Sequence, residues 1–311
     1  MQNDMEPQKN ILTVPVSIIV AGTIIGGALL LKDGPPARPP LSQTKRVEVA
    51  AQSTELTLRL GDLGAKLVSV GVVDREKFLS LYPNTNSPRR IGVGVNAGAQ
   101  RDEAVRLIEG GEELSVRITP ENAGVVLNLL WALGLGNKSA VLEKGEMTNA
   151  VYGGADRFAS TAGWTIAKDS PMQHYSRHLF IKLTPEQERL VEKVSQGIYR
   201  PCCDNSTHFP DCNHGMAMLG LLELLASQGA SETELYDAAL AANRLWFPDQ
   251  YTVIGEYEAF LRGKGKTLSA QDLVGRSVAS ASGFQRIAAE RAQWGVAPSQ
   301  EEQRGGSGCS V

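Results

Sequence analysis

The run MAMLGLLELLA (Met216–Ala226) places apolar residues on every side of a helix and carries one charge, Glu223. A helix of that kind is stable only when other elements cover it all round, so the rest of the chain must wrap it. The flanking sequence marks its ends. Gly229 terminates it, and Ser231 with Glu234 forms a capping box that opens a second helix, which ends before Pro248. A buried helix and its antiparallel neighbour therefore anchor a helical core.

Two further stretches carry helix punctuation. In ITPENAGVVLNLLWALGLG, Thr119 is the expected N-cap, Pro120 the first helical residue and Gly134 the terminator. In LTPEQERLVEKV, Thr184 caps, Pro185 follows and Gln187 completes a capping box, while Leu190, Val191, Val194 and Ile198 line one apolar face. Strand signals are sparse. Arg90–Gly98 and Glu113–Ile118 alternate at period two and are expected to pair as a small ribbon. The predicted fold class is mainly α, with a minor β ribbon and a single N-terminal transmembrane helix.

That membrane helix is Ile11–Leu31, which is 21 residues without a charge and long enough to cross a hydrocarbon core of ~30 Å. The sequence KDGPPARPP follows it in place of a small-residue cleavage site, so the segment reads as an uncleaved signal anchor. Gly22 and Gly26 lie four apart within it and offer a face for self-association. The predicted organisation is a tail (residues 1–10), the anchor (11–31), a Pro-rich linker (32–45), a helical body (46–296) and a flexible tail (297–311). Lys32, Arg38, Lys45 and Arg46 after the span argue for a cytoplasmic body, but an N-terminal anchor ahead of a long domain generally exports it. The expected placement is single-pass, with the body extracytoplasmic. A net charge of −3 supplies no basic field, so nucleic acid is not an expected partner.

All four histidines and three of the four cysteines fall between residues 174 and 214. Cys202, Cys203, Cys212 and His214 offer three thiolates and an imidazole within thirteen residues, a donor set suited to zinc or to copper in its reduced state. The eight residues DNSTHFPD let the chain fold back and bring Cys212 beside Cys202 and Cys203. Asp211 or His208 could support the ligands by hydrogen bonding, and His208 is also a candidate additional ligand. In DSPMQHYSRH, His174 and His178 are four apart and would share a helix face, making them possible additional ligands. Cys309, on the glycine-rich tail, is another.

Two other chemistries use the same residues. Outside the cytoplasm, Cys202 or Cys203 could bridge to Cys212, as a redox couple or as a disulfide that only staples a loop. Cys212 with His214 could also form a nucleophilic dyad, favoured by the helix N-terminus that follows. Other motifs fail on spacing. GKGKT (263–267) lacks the phosphate-loop pattern, and SASG near Ser280 is no nucleophile elbow. Met216 and Met218 read as core rather than as a copper stripe. Glu223 reads either as a helix-edge residue or as a partner for a basic group of the site.

The combination of PCC, FPDCNHG, LGLLEL and WFP between Tyr199 and Tyr251 resembles a motif set of membrane-anchored bacterial proteins. More distantly it is similar to the small extracytoplasmic PCYCGC-type cysteine-rich proteins, although the alternating cysteines of that type are missing here. The resemblance covers about fifty residues. It implies a site carried on a helical scaffold and no particular activity.

Overall fold

A computed structural model describes residues 56–83 and 97–294. The expected anchor with Gly22 and Gly26, the linker, most of the Arg90–Gly98 strand and Cys309 lie outside the described residues. Within them, no helix is long and apolar enough to cross a membrane.

The described chain is mainly helical. Strand β1 (Leu56–Arg59) is followed by helices α1 (Leu63–Ser69), α2 (Arg75–Ser80) and α3 (Ala97–Glu109), then by β2 (Ser115–Ile118). Next come α4 (Ala123–Gly136), α5 (Ala140–Lys144), α6 (Ala159–Ala162), α7 (Pro185–Gly197), α8 (Asn213–Ser227) and α9 (Glu232–Trp246). The last elements are α10 (Pro248–Gly263), α11 (Ala270–Val274), α12 (Arg276–Ala279) and α13 (Ala281–Glu290). The ribbon exists, but its partner differs from expectation. β2 pairs antiparallel with β1, Leu56 opposite Ile118 and Arg59 opposite Ser115. Ala97 and Gly98, the end of the expected partner, begin α3 instead.

The apolar run of the sequence is α8, and it lies at the centre of the body. Met216, Met218, Leu219, Leu221 and Leu222 are fully buried, so both methionines are core residues. Its main partner is α4, with α7 and α9 on its other sides. Capping boxes at Thr184/Gln187 and Ser231/Glu234 open α7 and α9 as expected, and Val191, Val194 and Ile198 are buried. Gly229, at φ +88°, completes the turn out of α8.

The bounds of α4 depart from the sequence reading at both ends. Thr119 and Pro120 form a turn ahead of the helix, closed by Asn122 Oδ1 accepting from the Thr119 N–H at 2.7 Å. At the other end the helix runs through Gly134 to Gly136. Gly134 is a packing residue: a Cβ there would fall 2.0 Å from the carbonyl oxygen of Met216. Gly220 faces it, and a Cβ on that residue would fall 2.4 Å from the carbonyl oxygen of Leu130. The two helices thus meet backbone to backbone, and neither glycine can gain a methyl group without separating them. Gly134→Ala is expected to cost about 3 kcal/mol, read as a lower urea midpoint at unchanged slope.

Candidate metal centre

The site is built on the segment between α7 and α8. Leaving α7, the chain is tied down at Tyr199, whose N–H donates to the Val274 carbonyl at 2.8 Å. Arg200-Pro201-Cys202-Cys203 then closes a tight turn, with the Cys203 N–H donating to the Arg200 carbonyl at 3.3 Å. Pro201 suits the second position of that turn because its φ is already set. Beyond it, the Thr207 N–H bonds back to the Ile198 carbonyl and the His208 N–H to the Ser195 carbonyl. These bonds fold the loop onto the end of α7. Asp204 Oδ1 accepts from the backbone N–H and hydroxyl of Ser282, pinning the loop to α13. The returning loop delivers Cys212 as the N-cap of α8, where its sulfur accepts from the Gly215 N–H at 3.4 Å.

This path brings three sulfurs together. Cys202 Sγ lies 3.7 Å from Cys212 Sγ, and Cys203 Sγ lies 3.9 Å from each of the other two. All three are free thiols, Cys212 buried and the other two half-buried. The triangle is close to equilateral. An ion at its centre would be about 2.2 Å from each sulfur, and three corners of a zinc tetrahedron with ~2.3 Å bonds are ~3.8 Å apart. The spacing therefore fits thiolate coordination.

A buried guanidinium completes the site. Arg200 is wholly inaccessible to solvent. Its Nη2 donates to Cys203 Sγ at 3.2 Å and to Asp211 Oδ1 at 3.4 Å, and its Nη1 to Thr207 Oγ1 at 3.4 Å. Asn205 holds the other oxygen of Asp211 at 2.8 Å. Gly215 leaves the space for this arginine: a Cβ there would fall 2.6 Å from Nη2. Burial alone would ease proton loss from Arg200. Cys212, Cys203, Cys202 and Asp211 outweigh it and hold the group more firmly protonated than usual. Burial and the neighbouring Cys212 push the Asp211 carboxyl up, against Asn205 and Arg200.

The thiols share their protons unequally. Hydrogen bonds from Cys202 and Cys203 hold the Cys212 thiol well below its ordinary range despite burial, and Arg200 adds to the effect. Cys202 is raised by its bonds to Cys203 and Cys212 and by burial. Cys203 is pushed up to about 11, where its contact with Cys212 and burial exceed the opposing influence of Cys202. Of the three, Cys212 is therefore the one whose proton is most easily lost, with Cys202 and Cys203 holding theirs more firmly.

The histidines occupy three other places. His214 is adjacent in sequence but does not join the sulfurs, the set of donor atoms that converges within 4.8 Å among the described residues. It is two residues past Cys212 in the first turn of α8, and residues so spaced point to different sides of a helix. Its ring packs on Phe247 at 4.5 Å between centroids, with Nδ1 3.0 Å from Asn213 Oδ1. Burial brings its pKa down to about 4, with Arg200 adding to the shift and Cys212 opposing it, so it is neutral at physiological pH. His208 bonds to Glu146 through Nδ1 at 2.5 Å.

His174 and His178 do meet, though not on a helix. A short 3-10 turn (Pro171–Gln173) and Ser176 at φ +52° replace it, and His178 lies in a bridge to Asn137. The two rings stack at 5.2 Å with Nδ1 of His174 3.0 Å from Nε2 of His178. Arg200, absent from the sequence-based candidates, is the added member of the site. Its one sequence signal is its position directly before the Pro-Cys-Cys turn.

The chain matches no protein-family model, no curated protein and no solved structure.

Proposed function

We propose that the protein binds one thiophilic transition-metal ion through Cys202, Cys203 and Cys212. The observation that carries this reading is the near-equilateral triangle of sulfurs at coordination spacing. The buried Arg200 favours a divalent ion. Three thiolates with a divalent cation leave one negative charge beside the guanidinium, whereas a monovalent cation leaves two, and the Asp211 carboxyl on the same guanidinium makes the smaller excess the better match in a poorly solvated site. Zinc fits that balance better than monovalent copper. Three protein ligands also leave a fourth position for a water or an exchangeable ligand, the arrangement suited to metal handling or metal-assisted chemistry. The uncharged Ile11–Leu31 segment supports a membrane-tethered placement for this domain, and the long domain that follows this N-terminal span favours a site outside the cytoplasm.

A second reading rests on Cys212. A readily ionised sulfur at a helix N-terminus with two thiols in contact also suits thiol–disulfide exchange, in which Cys212 and Cys202 or Cys203 lose two electrons and two protons to a disulfide substrate and form a bridge. Protein purified without chelator separates the two. The metal reading expects about one equivalent of zinc, with three thiols protected until the metal is removed. Metal-free protein that takes up neither zinc nor reduced copper would overturn it. A Cys212 bridge reducible in glutathione buffers would then establish the second.

A further inference from the structure

The metal centre makes no use of His174 and His178. His174 Nδ1 lies 3.0 Å from His178 Nε2, so one nitrogen donates and the other accepts. The other ring nitrogen of His174, Nε2, is buried and has no hydrogen-bond partner. A proton there would be a buried N–H without an acceptor, the costlier kind of orphan. The proton of His174 is therefore on Nδ1 and is donated to Nε2 of His178, whose own proton is on Nδ1. In this state neither ring can take up a second proton in place. On His178 it would occupy the accepting nitrogen, and on His174 it would be the buried orphan.

The pair clasps a strained loop. Residues within it cap the C-terminus of α4: the Ser176 N–H donates to the Leu135 carbonyl and the His178 N–H to the Gly136 carbonyl, both at 2.9 Å. The Lys138 N–H returns a bond to the His178 carbonyl at 2.7 Å. Ser176 holds this path at φ +52°, a conformation that such a residue keeps only while its surroundings fix it. Its hydroxyl accepts from the Ser139 N–H at 3.1 Å and donates to Glu143 Oε1 at 3.3 Å. Farther on, the Ile181 N–H donates to Asn137 Oδ1 at 3.0 Å. Leu179, Ile181 and Leu183 form one wall of a cavity of about 270 Å³ between α5, α7 and α8.

The surroundings keep both rings neutral. Burial holds each below the ordinary imidazole value of 6.5, with the His178 charge adding to the effect on His174 and Arg177 to that on His178, while Asp169 opposes it at His174. Lys168 packs with His174 at Gly71, in the turn between α1 and α2. Phe180 lies on the His178 ring at 5.2 Å between centroids, and it meets α4 at Gly136 together with Val72. Lys138 and Glu143 reach the loop at the His178 carbonyl and at Ser176.

We propose that His174 and His178 are an acid-operated clasp: protonation breaks the imidazole pair, frees residues 171–181 from the end of α4 and opens the adjoining cavity wall. A histidine kept neutral in the fold takes its proton only when the loop opens. The hold is therefore complete above the ordinary value of 6.5 and is lost as pH falls below it. This device is independent of the metal centre.

Hydrogen exchange of the full chain, corrected for the intrinsic effect of pH, tests it. Protection of the Ser176, His178 and Lys138 amides is expected to fall at least about tenfold between pH 7 and pH 5 in the wild type. His174→Asn with His178→Gln keeps a donor and an acceptor at the two positions but cannot titrate, and should hold that protection. Metal loss in acid acts on both proteins alike, so their difference reads the clasp. A thermal melt at pH 7 checks that the variant is folded. NMR spectra of the wild-type imidazole nitrogens at pH 7 read the tautomers without any substitution, with the His174 proton expected on Nδ1. Undiminished wild-type protection at pH 5, an equal loss in the folded variant, or a His174 proton on Nε2 would each overturn the proposal.

Discussion

Cys212→Ser is expected to abolish stoichiometric metal and to lower stability by about 3–5 kcal/mol when metal is present. Serine still accepts a hydrogen bond at the N-cap of α8, so the helix start is retained and the lost sulfur is what the experiment reads. The control is the same comparison in chelator. Wild type without metal should fall to within about 1 kcal/mol of the variant, because what the substitution removed was the binding free energy of an ion that the unfolded chain does not hold. A difference that persists unchanged in chelator would assign Cys212 to packing. Acid should act in the same direction as chelator, since the ligands must be thiolates. Metal is therefore retained at neutral pH and released as pH falls and the sulfurs take up protons. Elemental analysis after dialysis at stepwise lower pH measures this directly.

The second large effect belongs to Glu223. Burial pushes its pKa from 4.5 up to about 8, while Ser139 and Asn137 act against the shift and the Glu188 charge adds to it. A carboxyl raised in the folded state binds its proton where the unfolded chain has already lost its own. Stability from this group is therefore complete below the unfolded value and declines as pH rises through the folded value. The slope in between is about 1.4 kcal/mol per pH unit, which accumulates to roughly 4–5 kcal/mol by pH 8. Glu223→Gln has no such proton to lose. The gap between wild type and variant in urea unfolding should thus swing in the variant's favour by several kcal/mol between pH 5 and pH 8. A gap that stays constant across that range would show that Glu223 is ionised and solvated in the folded protein.

The caps at Thr184 and Ser231 were legible because a capping box is a contact between residues three apart, and the atoms that make it are adjacent in the chain. The burial of α8 was legible because no arrangement exposes a helix that is apolar all round at acceptable cost. Cys202, Cys203 and Cys212 could be named as candidates because three of the four cysteines crowd into eleven residues. Reading Gly134 as a terminator failed for the opposite reason. A glycine at a helix end and a glycine at a helix crossing look alike until the crossing partner, here Gly220, is known. His174 and His178 met by a turn with a positive φ at Ser176, a conformation no periodicity encodes.

Local chemistry in the chain thus determined where helices begin, which one lies at the centre and which soft donors were available. Tertiary structure alone decided that Ser115–Ile118 pairs with Leu56–Arg59, that three sulfurs converge while His214 packs on Phe247, and that Arg200 and Glu223 are buried. Those outcomes depend on which segments far apart in sequence share a volume. The electrostatic character of a charged side chain is set by that volume, since the same carboxyl or guanidinium that water would solvate becomes, once buried, a group that must be neutralised or given a partner.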